Sequence, residues 1–192
     1  MTPSEAANLL LAKYPDLLGP ETQFRGESTI EVLDAENIAT ICQYAKDQLG
    51  FDLLTDLSSL DDYGQDPRWT VVYELYGVDI NCHLRLKTKV AEQKSALPSV
   101  THIWPTANWH EREAFDMMGI QFTGHPDLRR ILMWEGYPYH PLRKDFPLAG
   151  KPSETLDIAF SRPAPLEGGP FVTVAGGKDA ISREPRSRTA DH

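Results

Sequence analysis

The chain reads as an α+β fold: a mixed or antiparallel sheet with helices packed on one face, followed by an irregular Pro-rich extension and a C-terminal tail. Three observations predict it. Ile80, Cys82, Leu84, Leu86 and Val90 alternate with Asn81, His83, Arg85, Lys87 and Lys89, a period of two that gives a sheet one packed and one wet face. Ile38, Ile41, Cys42, Ala45 and Leu49 recur by threes and fours, which is the apolar stripe of a helix lying on such a sheet. After His125, prolines, aromatics and charges interleave with neither period, so that run is expected to be extended and irregular.

The elements follow in order. Ala6, Leu9, Leu10 and Lys13 are spaced for a short helix over 3–14, ended by Pro15 and the Gly19-Pro20 pair. A strand is expected around 23–33, with Phe24, Ile30 and Val32 on one side. Asp34 caps the next helix, its carboxylate accepting free amide protons of the first turn, and Gly50 supplies the left-handed stop. Three strands come next: 51–60, with Phe51, Leu53 and Leu57 on one face; 69–76, rich in β-branched and aromatic residues; and 80–90, joined to its predecessor by a turn at Gly77-Val78-Asp79. Helix, strand, helix and a three-stranded meander make a two-layer α+β unit. A further helix opens near Pro105 and runs over 108–118 to a stop at Gly119. The expected organisation is an α+β core over 1–124, a Pro, aromatic and basic docking segment over 125–148, and an extended tail over 149–192. That tail holds five prolines and five glycines with few large apolar residues, too little to form a core of its own.

With 192 residues, 41% hydrophobic and 24% charged, the chain is long enough to bury a real core. No run of apolar residues is long enough to span a bilayer. The start, MTPSEAANLLLAKYP, lacks the basic opening and small-residue cleavage site of a signal peptide and the Arg-rich, acid-poor character of a mitochondrial presequence. Residues 1–66 carry thirteen Asp and Glu against Lys13, Arg25 and Lys46. Nucleic acid is therefore a poor partner, since phosphate binding needs a basic face. Cys42 and Cys82 stand forty residues apart with no CxxC pair. This chain alone is not expected to build a zinc or iron–sulfur site, and the usage suits a reducing compartment.

The richest segment runs from Glu111 to Leu148. On its helix Arg112 and Asp116 are four apart and can pair, and Glu113 and Asp116 are three apart. Two adjacent carboxylates do acid–base work when one pKa is driven upward; the plainer reading is that Arg112 and a neighbouring arginine neutralise them in a structural network. Glu111, Phe115 and Met118 share another side, suited to a partner contact. His110-Glu111-Arg112-Glu113 begins like the zinc-protease helix, but position 114 is Ala and the second imidazole is missing. His102, His125 and His140 read as turn histidines, with ligation in a larger site as the alternative. Arg129, Arg130, Arg143 and Lys144 lie among Trp109, Trp134, Tyr137, Tyr139 and Phe146. Arginines beside rigid aromatics in a Pro-stiffened run read as a docking strip, or as a loop packed on its own domain; the two are compatible. Gly176-Gly177-Lys178 is no phosphate loop, because the earlier Gly that motif needs falls on Val172, and G-x-G-x-x-G is absent.

Glu111-Arg112-Glu113, Asp116-Met117-Met118, His125, Arg129, Ile131, Leu132 and the run HPLRKDFPL from His140 to Leu148 resemble the motif of the 30-kDa subunit family of respiratory complex I, the C-type subunit of bacterial NADH:quinone oxidoreductase. Upstream the resemblance is one of architecture, and after Leu148 little is family-specific. It implies a scaffold that binds no cofactor, with FMN, Fe–S clusters and quinone held in partner subunits. The implied partners are the quinone-site large subunit (D type) and the terminal-cluster subunit (B type). The implied location is the cytoplasmic face of the bacterial inner membrane, reached only through the complex. The matching positions are Glu111, Arg112, Glu113, Asp116, His125, Arg129, Arg130, His140, Arg143, Lys144 and Asp145. The family pattern makes them structural and interface residues, and none catalytic.

Two other functions are weighed against this one. A related membrane-bound hydrogenase, or a plastoquinone- or deazaflavin-linked dehydrogenase, would use an equivalent subunit. A free-standing carboxylate hydrolase would need Glu113 and Asp116 as its acid–base pair, and the absence of a nucleophile motif and metal spacing counts against it.

Overall fold

A computed structural model describes residues 1–147; the tail expected over 149–192 lies outside the described residues. The chain divides into a unit spanning Met1–Lys144 and a second beginning at Asp145, of which residues 145–147 are described.

Local chemistry sets the first elements. Helix α1 (Pro3–Lys13) opens with a capping box: the Glu5 amide donates to Thr2 Oγ1 at 3.2 Å and the Thr2 amide to Glu5 Oε2 at 2.8 Å, satisfying two amides that have no partner inside the helix. Asp34 caps as expected, but the helix turn it starts is a 3-10 turn at Ala35–Asn37, its Oδ1 accepting from the Glu36 amide at 3.1 Å. Helix α2 (Ile38–Leu49) continues from there and ends at Gly50 with φ 82°. Its buried residues Ile38, Ile41, Cys42, Ala45 and Leu49 are the expected stripe.

The single strand expected over 23–33 is a hairpin. Strand β1 (Thr22–Phe24) turns through Arg25 (φ 52°) and Gly26 (φ 84°) into β2 (Glu27–Val32). The reversal takes Phe24 away from Ile30 and Val32, leaving it 66% exposed. Strands β3 (Leu53–Asp61), β4 (Trp69–Gly77) and β5 (Cys82–Val90) form the expected antiparallel meander. Leu53 does not share the inward face with Leu57. A bulge between Leu54 and Asp56 shifts the alternation, so Leu54 and Leu57 face in while Leu53 is exposed. Strand β5 opens at Cys82, two residues later than the alternation suggests, because the turn extends to Asn81 at φ 42°.

The sheet order is β1-β2-β5-β4-β3, with β2 parallel to β5 and the other pairs antiparallel. The sheet is therefore mixed. Its inward side (Ile30, Val32, Val71, Tyr73, Leu75, Leu84, Leu86) joins one core with Leu10, Ile38, Ile41 and Ala45 of the helices. The opposite face carries Thr29, Glu31, Thr70, Arg85, Lys87 and Lys89. A second, two-stranded sheet adds to the expected architecture: β6 (Ala96–Pro98) pairs in parallel with β7 (Gln121–Thr123). Helix α3 (Ala107–Met118) lies between those two strands in the chain and packs against β3.

Candidate functional site

Helix α3 stops where Gly119 takes φ 82° and its amide returns to Phe115 O at 2.8 Å. The last carbonyls of a helix have no partner within it. Here the segment 125–144, a strap laid across the helix end, supplies their donors. Arg130 Nη1 and His140 Nδ1 donate to Asp116 O at 3.1 and 2.9 Å, the Leu142 amide to Met117 O at 3.2 Å, and Arg143 Nε to Met118 O at 2.6 Å. Two arginines therefore sit at the negative end of the helix dipole, where cations are favoured. His140 donates through Nδ1 as a neutral ring. Burial lowers its pKa below the ordinary value, and the charges of Arg143 and Arg130 push the same way.

Asp116 is the anchor of this arrangement. Its buried Oδ2 accepts from the amides of Ile131, Leu132 and Met133 at 3.0, 2.7 and 2.8 Å, and Oδ1 pairs with Arg130 at 2.5 Å. Three converging amides on one carboxylate oxygen hold the strap in a tight turn, and hydrogen bonds to a charged acceptor are stronger than neutral ones. Burial alone would raise the Asp116 pKa; the three amides and Arg130 outweigh it and hold it below the usual carboxylate value.

The pairing expected between Arg112 and Asp116 is not made. Arg112 donates instead to the carbonyls of Arg129 and Arg130 at 3.1 and 3.0 Å, because the turn places these acceptors within reach and Arg130 already neutralises Asp116. Glu113 is exposed while Asp116 is buried, so the two carboxylates do not share one environment. Glu111 does not face a partner with Phe115 and Met118 either: it is fully buried, with Oε1 accepting from the Val100 amide at 2.7 Å. The stripe Ala107, Ala114, Met117 continues inward, and Glu111 falls on that stripe.

At its far end the strap is tied to the main sheet. The Lys144 amide donates to Asp61 Oδ2 at 2.7 Å, across a separation of 83 residues. Asp61 also takes a two-point bond from Arg68, both contacts 2.8 Å, and Arg68 reaches Glu92 at 2.6 Å. The Trp69 ring lies under both the Arg68 and Arg143 guanidinium groups, at 4.3 and 5.1 Å. Sequence reasoning misses Asp61, Arg68 and Trp69. The Arg68-Trp69 pair at a strand start is a weak signal, and nothing local links Asp61 to residue 144.

The remaining expected residues fall in several places. His125 is held between Asn108 O, 3.2 Å from Nε2, and the Asp127 amide, 3.0 Å from Nδ1. Arg129 is exposed and pairs with Asp127 at 2.9 Å. The Lys144 side chain is exposed, and Asp145 belongs to the second unit. Outward from the pinned backbone stand Trp109 (66% exposed), Leu132 (62%), Leu142 and Trp134. Trp134, Tyr137 and Tyr139 make successive edge-on contacts at 4.6 and 5.6 Å. Among the described residues no group of three His, Cys, Asp or Glu is placed to hold a metal ion, and no helix is long and apolar enough to cross a membrane.

Comparison with known proteins agrees with this geometry. The family model described as "Respiratory-chain NADH dehydrogenase, 30 Kd subunit" matches residues 31–152. The C-type subunit of the NADH-quinone oxidoreductase of Geotalea uraniireducens is 46% identical over 145 residues, covering 76% of this chain and 88% of that one. The second C-type subunit of the same enzyme in Rhizobium meliloti is 45% identical over 134 residues, covering 69% and 73%. Among solved structures, a trypsin-resistant fragment of Nqo5 is 29% identical, with TM-score 0.58 over 65% of this chain and 98% of that one. A chain from an archaeal membrane-bound sulfane sulfur reductase has TM-score 0.65 at 24% identity, covering 76% and 85%, and shares the fold. Matched through both its sheet and its strap, the chain belongs to the 30-kDa subunit family of the respiratory-chain NADH dehydrogenase.

Proposed function

We propose that this chain is the scaffold subunit of the peripheral arm of a proton-translocating NADH:quinone oxidoreductase, and that the strap is its docking surface. One observation carries the reading. The strap's backbone and charged groups are committed inward to Asp116, Asp61 and the end of α3, while Trp109, Leu132, Trp134 and Leu142 point out. Exposed aromatic and aliphatic side chains on a pre-ordered backbone lose little conformational entropy on binding and supply the area that dominates interface energy. The partners that suit it are the quinone-site subunit and the terminal-cluster subunit. Electrons pass from NADH through FMN and Fe–S centres held by other subunits, and this chain holds the arm together without carrying a cofactor. It meets the cytoplasmic face of the membrane through the complex.

The acid–base alternative finds no support at its own residues. Asp116 is held ionised by Arg130 and three amides, the reverse of the raised pKa a general acid needs. The test is to purify the tagged chain from membrane extracts of its own host and identify co-purifying subunits by mass spectrometry. Recovery of quinone-site, flavin-binding and NADH-binding subunits supports the proposal. Recovery of nickel-hydrogenase subunits, or a stoichiometric chromophore on the purified chain alone, overturns it.

A further inference from the structure

Glu111 lies where α3 meets both ends of the small β6–β7 sheet. Its Oε1 accepts from the amide of Val100, just past β6, and Oε2 lies 4.0 Å from His125 Nε2, just past β7. The carboxyl is fully buried, and Oε2 has no hydrogen-bond partner among the described residues. His125 Nδ1 must accept from the Asp127 amide and Nε2 must donate to Asn108 O, so the ring as bonded is the neutral Nε2–H tautomer, with its proton turned away from Glu111. The other titratable groups facing the site are the buried Tyr73 hydroxyl of β4, also without a partner among the described residues, and the buried Cys42 thiol of α2. Neither supplies positive charge.

We propose that Glu111 carries a proton in the folded chain and acts as a pH-sensitive clasp between α3 and the two ends of the β6–β7 sheet. A carboxylate with one amide donor and no counter-ion is costly to bury, and the group avoids that cost by staying neutral. The electrostatics agree: burial pushes the carboxyl up to about 7, opposed only in part by the Ser99 hydroxyl and the Val100 amide. The sign follows from proton counting. The unfolded chain releases this proton near 4.5 and the folded chain near 7, so stability falls as pH rises through that window and levels off above it. Above the window the charged carboxylate either draws a proton onto His125, breaking the Asp127 contact, or loosens α3 from Val100. Helix α3 carries the strap, so alkaline pH loosens the platform on which the strap rests.

The test is urea unfolding of the full chain and of Glu111→Gln, an uncharged mimic of the protonated acid, from about pH 5 to about pH 8. The ratio of wild-type to variant folding constants is expected to fall roughly tenfold per pH unit up to about neutrality, then flatten. A ratio that stays constant over the range overturns the proposal. A 13C-labelled wild-type chain gives a second readout that does not depend on the variant folding. One glutamate carboxyl carbon titrating near neutrality supports the clasp; all of them titrating in the acid range overturns it.

Discussion

Asp116 and Arg130 meet at 2.5 Å beneath the strap, the carboxylate fully buried and the guanidinium nearly so. The same carboxylate gathers three consecutive amides, so one side chain sets both the charge balance and the path of the segment above it. Asp116→Asn removes that charge and leaves Arg130 buried without its counter-ion. A loss of about 3 kcal/mol or more is expected from breaking a buried pair. Chemical unfolding measures it, and faster tryptic cleavage at Arg129 and Arg130 reports the freed strap.

Gly119 is constrained twice. Its φ of 82° disfavours a side chain, and a Cβ there would fall 2.3 Å from Arg143 Nη2 and 2.7 Å from His140 Nε2. Gly26 has the same left-handed backbone (φ 84°) with nothing within 4 Å of such a Cβ. Gly26→Ala is expected to cost only the backbone term, about 1–2 kcal/mol. Gly119→Ala should cost clearly more in denaturant unfolding, because the strap must also shift. Equal losses at the two positions would show that the strap does not press on the helix stop.

Asp61 joins β3, Arg68 and the strap. Arg68 holds its carboxyl below the usual range, with the Lys144 amide acting the same way against burial. Its contribution is therefore present above the unfolded value of about 3.8 and is lost as pH falls through the depressed folded value. Asp61→Asn should lose about 3 kcal/mol near neutral pH. The gap to wild type should close as acid protonates Asp61, and unfolding curves at several acid pH values would show whether it does.

Trp109 and Leu132 make the opposite prediction. Both are exposed, so Trp109→Ala and Leu132→Ser are expected to change stability by no more than ~0.5 kcal/mol. If they belong to the docking surface, each should weaken retention of partner subunits by about 1–2 kcal/mol, near tenfold in affinity. Co-purification yield beside the unfolding midpoint separates the two effects. Arg143→Ala should lower both, since its guanidinium holds Met118 O and covers Trp69.

Much of the core was legible because its signals are local. The stripe from Ile38 to Leu49, the Gly50 and Gly119 stops and the alternation from Cys82 to Val90 all appear in the structure. Phe24 and Leu53 were misplaced because a left-handed turn at Arg25-Gly26 and a bulge after Leu54 each reset the period. At the site, the helix that bears Glu111, Arg112, Glu113 and Asp116 was legible, but its pairings were not. Four-residue spacing favours Arg112 with Asp116, whereas the fold brings Arg130 and three strap amides to that carboxylate first.

Taken alone, the sequence determined the periods, the helix stops and the crowding of special residues between Glu111 and Pro147, since each depends on neighbours within a few positions. Only the tertiary structure decided that β2 runs parallel beside β5, that Glu111 is buried, and that Lys144 returns to Asp61. Those outcomes depend on which distant groups reach a buried charge or a helix end, and on desolvation that no local spacing records.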